Sequence, residues 1–231
     1  MSKTKGVFAL VFVLFTLPFV IFLMWIFKKN HKKIRFIAAK LFLKIFRIKA
    51  NVTGALDDDA KIYVMNHQSF MDVIFMEGYA KKDICWIAKK ELGKPFLYGQ
   101  ALKLPKMILI DRESKKNTIF LMKEVKDRLE AKRVLCIFPE GTRSKGQEEF
   151  LPFKSGAKFL IEHFKLKVQP IVFCGTRECL DFEKLDFKNT AFSVKILESF
   201  VPQGENWFEE LREKMQEEYT MLYRKKECME E

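Results

Sequence analysis

A run of 22 residues without a charge, from Gly6 to Phe27, constrains this chain more than any other feature of its sequence. At 1.5 Å per residue such a run forms a helix of about 33 Å, close to the thickness of a bilayer's hydrocarbon core. Lys3 and Lys5 precede it, and Lys28, Lys29, Lys32 and Lys33 come after it. Basic residues at both ends suit an apolar helix whose termini meet lipid headgroups. A cleavable secretory signal fits poorly, because the run is long and no small-x-small site closes it. Two arrangements stay open: the helix spans the bilayer, or it enters one leaflet and lies obliquely. The heavier basic cluster on its C-terminal side places the rest of the chain in the cytoplasm.

From His31 to Lys49, Ile34, Ile37, Ala38, Leu41, Ile45 and Ile48 recur at helical spacing, with Lys33, Lys40, Lys44 and Arg47 on another side. A helix with a purely basic wet face is expected to lie in the membrane interface. Charge supports the same division of the chain. The formal net charge is +12, yet residues 1–56 hold eleven Lys or Arg and no acid, which leaves 31 basic against 30 acidic side chains in the rest. A nucleic-acid binder would carry its basic surface on the folded domain, so that class is excluded and a bilayer is the expected partner. The five cysteines, Cys85, Cys136, Cys174, Cys179 and Cys228, include no CxxC pair. They read as reduced, mainly buried thiols, with neither a disulfide framework nor a metal site.

Beyond a linker expected at 51–60, short apolar runs alternate with helical patterns. Strands are predicted at 61–65, 84–88, 107–110, 134–138, 168–173 and 192–197, and helices at 71–80, 118–130, 157–164 and 207–224. This order predicts an α/β fold with a mixed, mainly parallel sheet flanked by helices, the last pieces adding antiparallel edges. Reactive groups are then expected where strands end and loops begin.

Three stretches carry chemistry. In Asn66-His67-Gln68-Ser69-Phe70-Met71-Asp72, His67 is the candidate base, since His31 falls in the basic helix and His163 near a helix end. An imidazole suits proton removal from a hydroxyl near neutral pH, and Asp72, about one helical turn on, is placed to orient it. Taken alone, this pair reads better as a helix-capping histidine and its neighbour. In Phe138-Pro139-Glu140-Gly141-Thr142-Arg143-Ser144, Gly141 permits a tight turn and Arg143 offers a planar donor fork for a phosphate. Thr142 offers a hydroxyl there, and Glu140 an acceptor for a polar head group. Third, Ile108-Leu109-Ile110-Asp111-Arg112 ends a strand on a charged pair, either a second phosphate contact through Arg112 or a surface ion pair. Lys89 is a further candidate phosphate contact or a solvated lysine. No Ser or Cys stands in a nucleophile setting, and Ser69 reads as a turn residue.

His67 with Asp72 resembles the NHxxxxD signature of the 1-acylglycerol-3-phosphate acyltransferase family, the lysophosphatidic acid acyltransferases of the glycerolipid acyltransferase superfamily. Phe138 to Arg143 is similar to its FPEGTR block, Ile110-Asp111-Arg112 to the end of its GxxFIDR block, and Val168 to Val172 to its proline-containing fourth block. Phe153-Lys154-Ser155-Gly156 resembles the stretch that comes after the third. Lys106 departs from the pattern, standing where the family has glycine and adding a charge to the loop Lys103 to Lys106.

The resemblance implies membrane-anchoring helices in 1–50, the glycerolipid acyltransferase fold in 51–231, and a bacterial inner-membrane enzyme facing the cytoplasm. It implies direct acyl transfer from acyl-CoA or acyl-carrier protein to the sn-2 hydroxyl of lysophosphatidic acid, giving phosphatidic acid without a cofactor. His67 and Asp72 would be catalytic; Arg112, Glu140, Gly141, Thr142, Arg143 and Lys89 would bind substrate. The rivals are another lysophospholipid or lyso-aminolipid acceptor, and a non-catalytic lipid-binding protein.

Overall fold

The computed structural model describes residues 2–111, 117–144, 146–188 and 191–230, with backbone alone at 2, 117, 118 and 227–230. Two helices open the chain, α1 (Ser2–Ile26) and α2 (His31–Ile45), joined by a short 3-10 turn at Lys28–Asn30. Next come β1 (Lys49–Thr53), β2 (Ile62–Met65), α3 (Phe70–Tyr79) and β3 (Ile84–Lys89). A 3-10 turn (Lys90–Gly93) leads to α4 (Phe96–Lys103), β4 (Ile108–Ile110), α5 (Asn117–Glu130) and β5 (Val134–Ile137). The chain continues through α6 (Ser155–Phe164), β6 (Val168–Cys174), α7 (Thr176–Cys179), β7 (Ala191–Ile196) and α8 (Trp207–Glu230).

The strands form one seven-stranded sheet in the order β1-β7-β6-β2-β5-β3-β4. From β6 to β4 all neighbours are parallel, β7 runs antiparallel to β6, and β1 lies parallel to β7 at the edge. Every residue of β2, β5 and β6 is buried, which is why these strands read as continuous apolar runs rather than alternating ones. The crossover from β2 to β3 moves one way along the sheet and those from β4 to β5 and β5 to β6 move back. Right-handed crossovers therefore put α3 on one face and α5 and α6 on the other. α8 joins the second face, burying Trp207, Phe208, Leu211, Met215 and Tyr219 along one side and hydrogen-bonding α6 from Trp207 Nε1 to Glu162 at 2.8 Å.

Two expectations need correction. The first three residues of the stretch read as a linker belong to β1, whose alternating half-buried Ala50 and Val52 pair in register with β7; five polar-rich residues at a sheet edge leave almost no periodic signal. Helix α4 is absent from the predicted elements. Its Gly99 lies so close to the preceding turn that an added Cβ would sit 2.3 Å from the Gly93 carbonyl oxygen, so a residue that argues against a helix is there for close packing.

The basic helix α2 differs from its expected two-sided form. Arg35, Ala39 and Phe42 are buried, turned toward α3, where Ala39 and Leu43 meet Gly78. Ile37, Leu41 and Ile45 stay exposed on the outer side. Helix α1 pairs with α2 through Phe8 and Phe12 against Phe42 and Phe46. Near its start Gly6 abuts the Leu185 backbone, where a Cβ would come within 2.0 Å of the carbonyl oxygen; near its end Met24 is buried.

Candidate active site

The site forms at the C-terminal ends of the parallel strands. β2 stops at Met65, and Asn66 extends the sheet with its side chain: Nδ2 donates to the Phe173 carbonyl at 2.9 Å and Oδ1 accepts from the Phe173 N–H at 2.7 Å. His67 and Gln68 then form the turn into α3, with Ser69 as the helix cap. The Asp72 side chain, fully buried, accepts from the backbone N–H groups of Gln68 and Ser69 at 2.8 and 2.9 Å. A carboxylate at the start of a helix is favoured by the unpaired N–H groups there. The same oxygen, Oδ2, lies 2.9 Å from His67 Nδ1. An ionised carboxylate only accepts, so Nδ1 carries the proton and Nε2 is left as the basic nitrogen.

The imidazole is also held from the side. It stacks on Phe138 with centroids 3.8 Å apart and planes 10° apart, and Trp86 stacks behind Phe138 at 5.4 Å. The His67 backbone is tied to the loop after β5 at both ends: its N–H donates to Glu140 Oε1 at 2.8 Å, and its carbonyl accepts from the Ser144 N–H at 2.7 Å. The two motifs, more than 70 residues apart in sequence, thus make one rigid unit.

Glu140 does not offer an acceptor to a head group. Its carboxylate is buried, with Oε1 taken by the His67 N–H and Oε2 by the Leu151 N–H at 3.1 Å. Burial outweighs these two hydrogen bonds and pushes its pKa up to about 7. Gly141 turns the chain at φ 73°, a left-handed conformation that suits glycine. Thr142 and Arg143 lie beyond it, Arg143 exposed, and the Arg143 guanidinium pairs with Glu183 at 3.0 Å. Lys89 ends β3, exposed, at this same end of the sheet. Arg112 lies outside the described residues.

Lys106 sits at the opposite pole, before β4 begins, so it adds no charge near the His67 end. It adopts φ 54°, the conformation for which glycine is the ordinary choice. Its carbonyl accepts from Arg128 Nε at 2.8 Å and Arg133 NH1 at 3.2 Å. Of the other histidines, His163 is exposed, whereas His31 is half-buried beside Asp83 rather than on the surface. Cys85, Cys136, Cys174 and Cys179 are buried, reduced thiols; burial raises the pKa of Cys85 and Cys136 and lifts that of Cys179 to about 12. The Cys228 side chain lies outside the described residues.

Sequence reasoning missed the supports. Asn66, Gln68 and Phe138 lie inside the motifs, yet only the fold shows Gln68 bridging Tyr219 Oη at 2.8 Å to the Gly175 N–H at 3.2 Å. Arg177 was missed outright. Its NH1 donates to the Ser144 carbonyl at 2.7 Å, and nothing in a lone arginine after β6 signals that.

A family model described as Acyltransferase matches residues 47–174. A 1-acyl-sn-glycerol-3-phosphate acyltransferase of Helicobacter pylori is 43% identical over 198 residues, covering 85% of this chain and 84% of that protein. One of Cocos nucifera is 33% identical over 64% of this chain, which spans about half (48%) of that relative's length. The crystal structure of the 1-acyl-sn-glycerophosphate acyltransferase PlsC of Thermotoga maritima superposes with a TM-score of 0.72 over 96% of this chain and 95% of that one, at 24% identity, a likeness of fold. A histidine–aspartate pair bonded to the FPEGTR loop at the end of a mainly parallel sheet, with these relatives, places the chain in the 1-acyl-sn-glycerol-3-phosphate acyltransferase family of O-acyltransferases.

Proposed function

We propose that the protein acylates the sn-2 hydroxyl of lysophosphatidic acid at a membrane surface, taking the acyl group from acyl-CoA or acyl-carrier protein and giving phosphatidic acid. The observation that carries this is the His67–Asp72 pair, with Nε2 unpaired by Asp72 and the loop of Arg143 hydrogen-bonded to the His67 carbonyl. Nε2 takes the proton of the attacking hydroxyl as the new C–O bond forms, and the C–S bond of the thioester breaks. The proton then passes to the departing thiolate, while Asp72 stabilises the imidazolium in between. Arg143 holds the phosphomonoester, whose geometry suits a guanidinium fork. Direct transfer needs no enzyme nucleophile or metal, and buried, high-pKa cysteines agree with that.

Membrane attachment is argued from the outer side of α1, which exposes Phe8, Phe15, Phe19, Phe22 and Trp25. Apolar exposure continues onto α2 and onto Phe96 and Leu97 of α4. Because α1 touches the domain near both of its ends, the reading in which the helix hairpin dips into one leaflet is favoured over a span. The test is to incubate detergent-purified protein with lysophosphatidic acid and each carrier and to read products by mass. Turnover with at least one carrier is expected, and its loss by about a thousandfold in His67→Ala with folding retained. Substantial activity of that variant removes His67 from its role.

A further inference from the structure

We infer that Arg177 is a second guanidinium of the acceptor's phosphate seat, and that Glu183 occupies this seat when no acceptor is bound. The inference rests on the phosphomonoester reading above and extends it to two residues outside the family's motifs. The Glu183 carboxylate lies between two guanidiniums, with Oε1 3.0 Å from Arg143 NH2 and Oε2 3.5 Å from Arg177 NH2. An anion placed between two forks is the arrangement in which arginines bind phosphate. The place is tied to the catalytic centre. Arg143 immediately precedes Ser144, Arg177 NH1 donates to the Ser144 carbonyl at 2.7 Å, and the Ser144 N–H bonds the His67 carbonyl at 2.7 Å.

The three charges differ in how firmly they are held. Arg177 is only 15% exposed and is braced by Asp181 at 3.1 Å, so its position does not depend on Glu183. Glu183 is 58% exposed and stands in the turn between Asp181 and Asp186, whose backbones pair at 2.9 Å. It can return to water at little cost, since exposed ion pairs are weak. The same turn rests on the N-terminal helix pair: Leu185 abuts Gly6 of α1, and the Phe187 ring packs tilted against Phe46 with centroids 5.6 Å apart. A head group arriving from the lipid surface therefore meets this turn. A phosphomonoester carries up to two charges at neutral pH against one on Glu183, so it displaces the carboxylate and inherits both arginines.

The sign of one mutational effect separates this from a merely structural ion pair. In Glu183→Gln the seat is vacated, and the KM for lysophosphatidic acid is expected to fall roughly two- to fivefold, the range an exposed ion pair converts to. A structural tie predicts an unchanged or higher KM. In Arg177→Gln the KM is expected to rise at least about tenfold, with the larger part of the effect in KM rather than kcat. Titration of inorganic phosphate into each detergent-purified variant reads the seat without turnover: the Kd should fall for Glu183→Gln and rise for Arg177→Gln. A Kd and KM that do not fall in Glu183→Gln overturn the inference. Failure of the wild type to acylate lysophosphatidic acid, with the phosphate Kd still shifting as stated, would instead overturn the assigned acceptor.

Discussion

At the scale of single residues, the site is organised so that the His67 imidazole has one orientation. Asp72 fixes the proton on Nδ1, Phe138 fixes the plane of the ring, and Glu140 fixes the backbone beneath it. Glu140 does so with both oxygens accepting, which an amide cannot reproduce. Glu140→Gln turns one acceptor into a donor facing a backbone N–H, and kcat is expected to fall roughly tenfold through misplacement of His67. The same residue sets a pH dependence. Its folded-state pKa, about 7, stands above the ordinary 4.5, so its contribution to stability is full at low pH and is lost as pH rises through about 7. Denaturant unfolding between about pH 5 and pH 7 should show the wild type losing stability relative to Glu140→Gln, by at most on the order of 1 kcal/mol per pH unit. At Lys106 a side chain occupies a left-handed conformation; Lys106→Gly relieves it, and the unfolding midpoint should rise by the equivalent of about 0.5–1 kcal/mol.

At the scale of elements, α2 is docked by charge as well as by apolar packing. Buried Arg35 hydrogen-bonds Glu77 of α3 and, at 2.6 Å, Asp83 before β3. Arg133 Nε meets the other oxygen of Asp83 at 3.0 Å, and Trp86 Nε1 donates to Glu77 at 2.8 Å. Removing the central cation leaves two carboxylates poorly compensated in a largely buried place. Arg35→Ala is expected to lower stability by about 3 kcal/mol and to free α2 from α3, detected as faster hydrogen exchange across 31–45. An unchanged exchange rate there would show that the apolar contacts of Ala39 and Phe42 suffice.

At the scale of the whole molecule, the N-terminal helix pair and the His67 end of the sheet are parts of one surface. Helix α1 lies against α2, the 181–187 turn and α4, and the exposed apolar side chains run from the helix pair toward Phe96, which is 85% exposed. Phe96→Glu touches no buried contact, so thermal stability should stay within about 0.5 kcal/mol. Activity on lysophosphatidic acid in vesicles should nevertheless fall several-fold while activity in detergent micelles is retained. Equal loss in both media would take Phe96 out of the membrane contact.

The pairing of His67 with Asp72 and the order of helices and strands were legible in the linear chain because both rest on local signals. Buried parallel strands are unbroken apolar runs, helices have a 3.6-residue period, and a hydrogen-bonded pair such as His67 and Asp72 lies within about one helical turn. Weak local signals failed in proportion: β1 is a short polar edge strand, and α4 carries a glycine demanded by its neighbour rather than by the helix. Tertiary structure alone decided what joins parts distant in sequence. It turned Glu140 inward to hold the His67 backbone and set Lys106 at the far pole. It brought Arg177 and Glu183 beside Arg143, and laid α1 along the domain. Such contacts depend on strand order and on which groups burial leaves without water, and neither has a periodicity that a sequence can display.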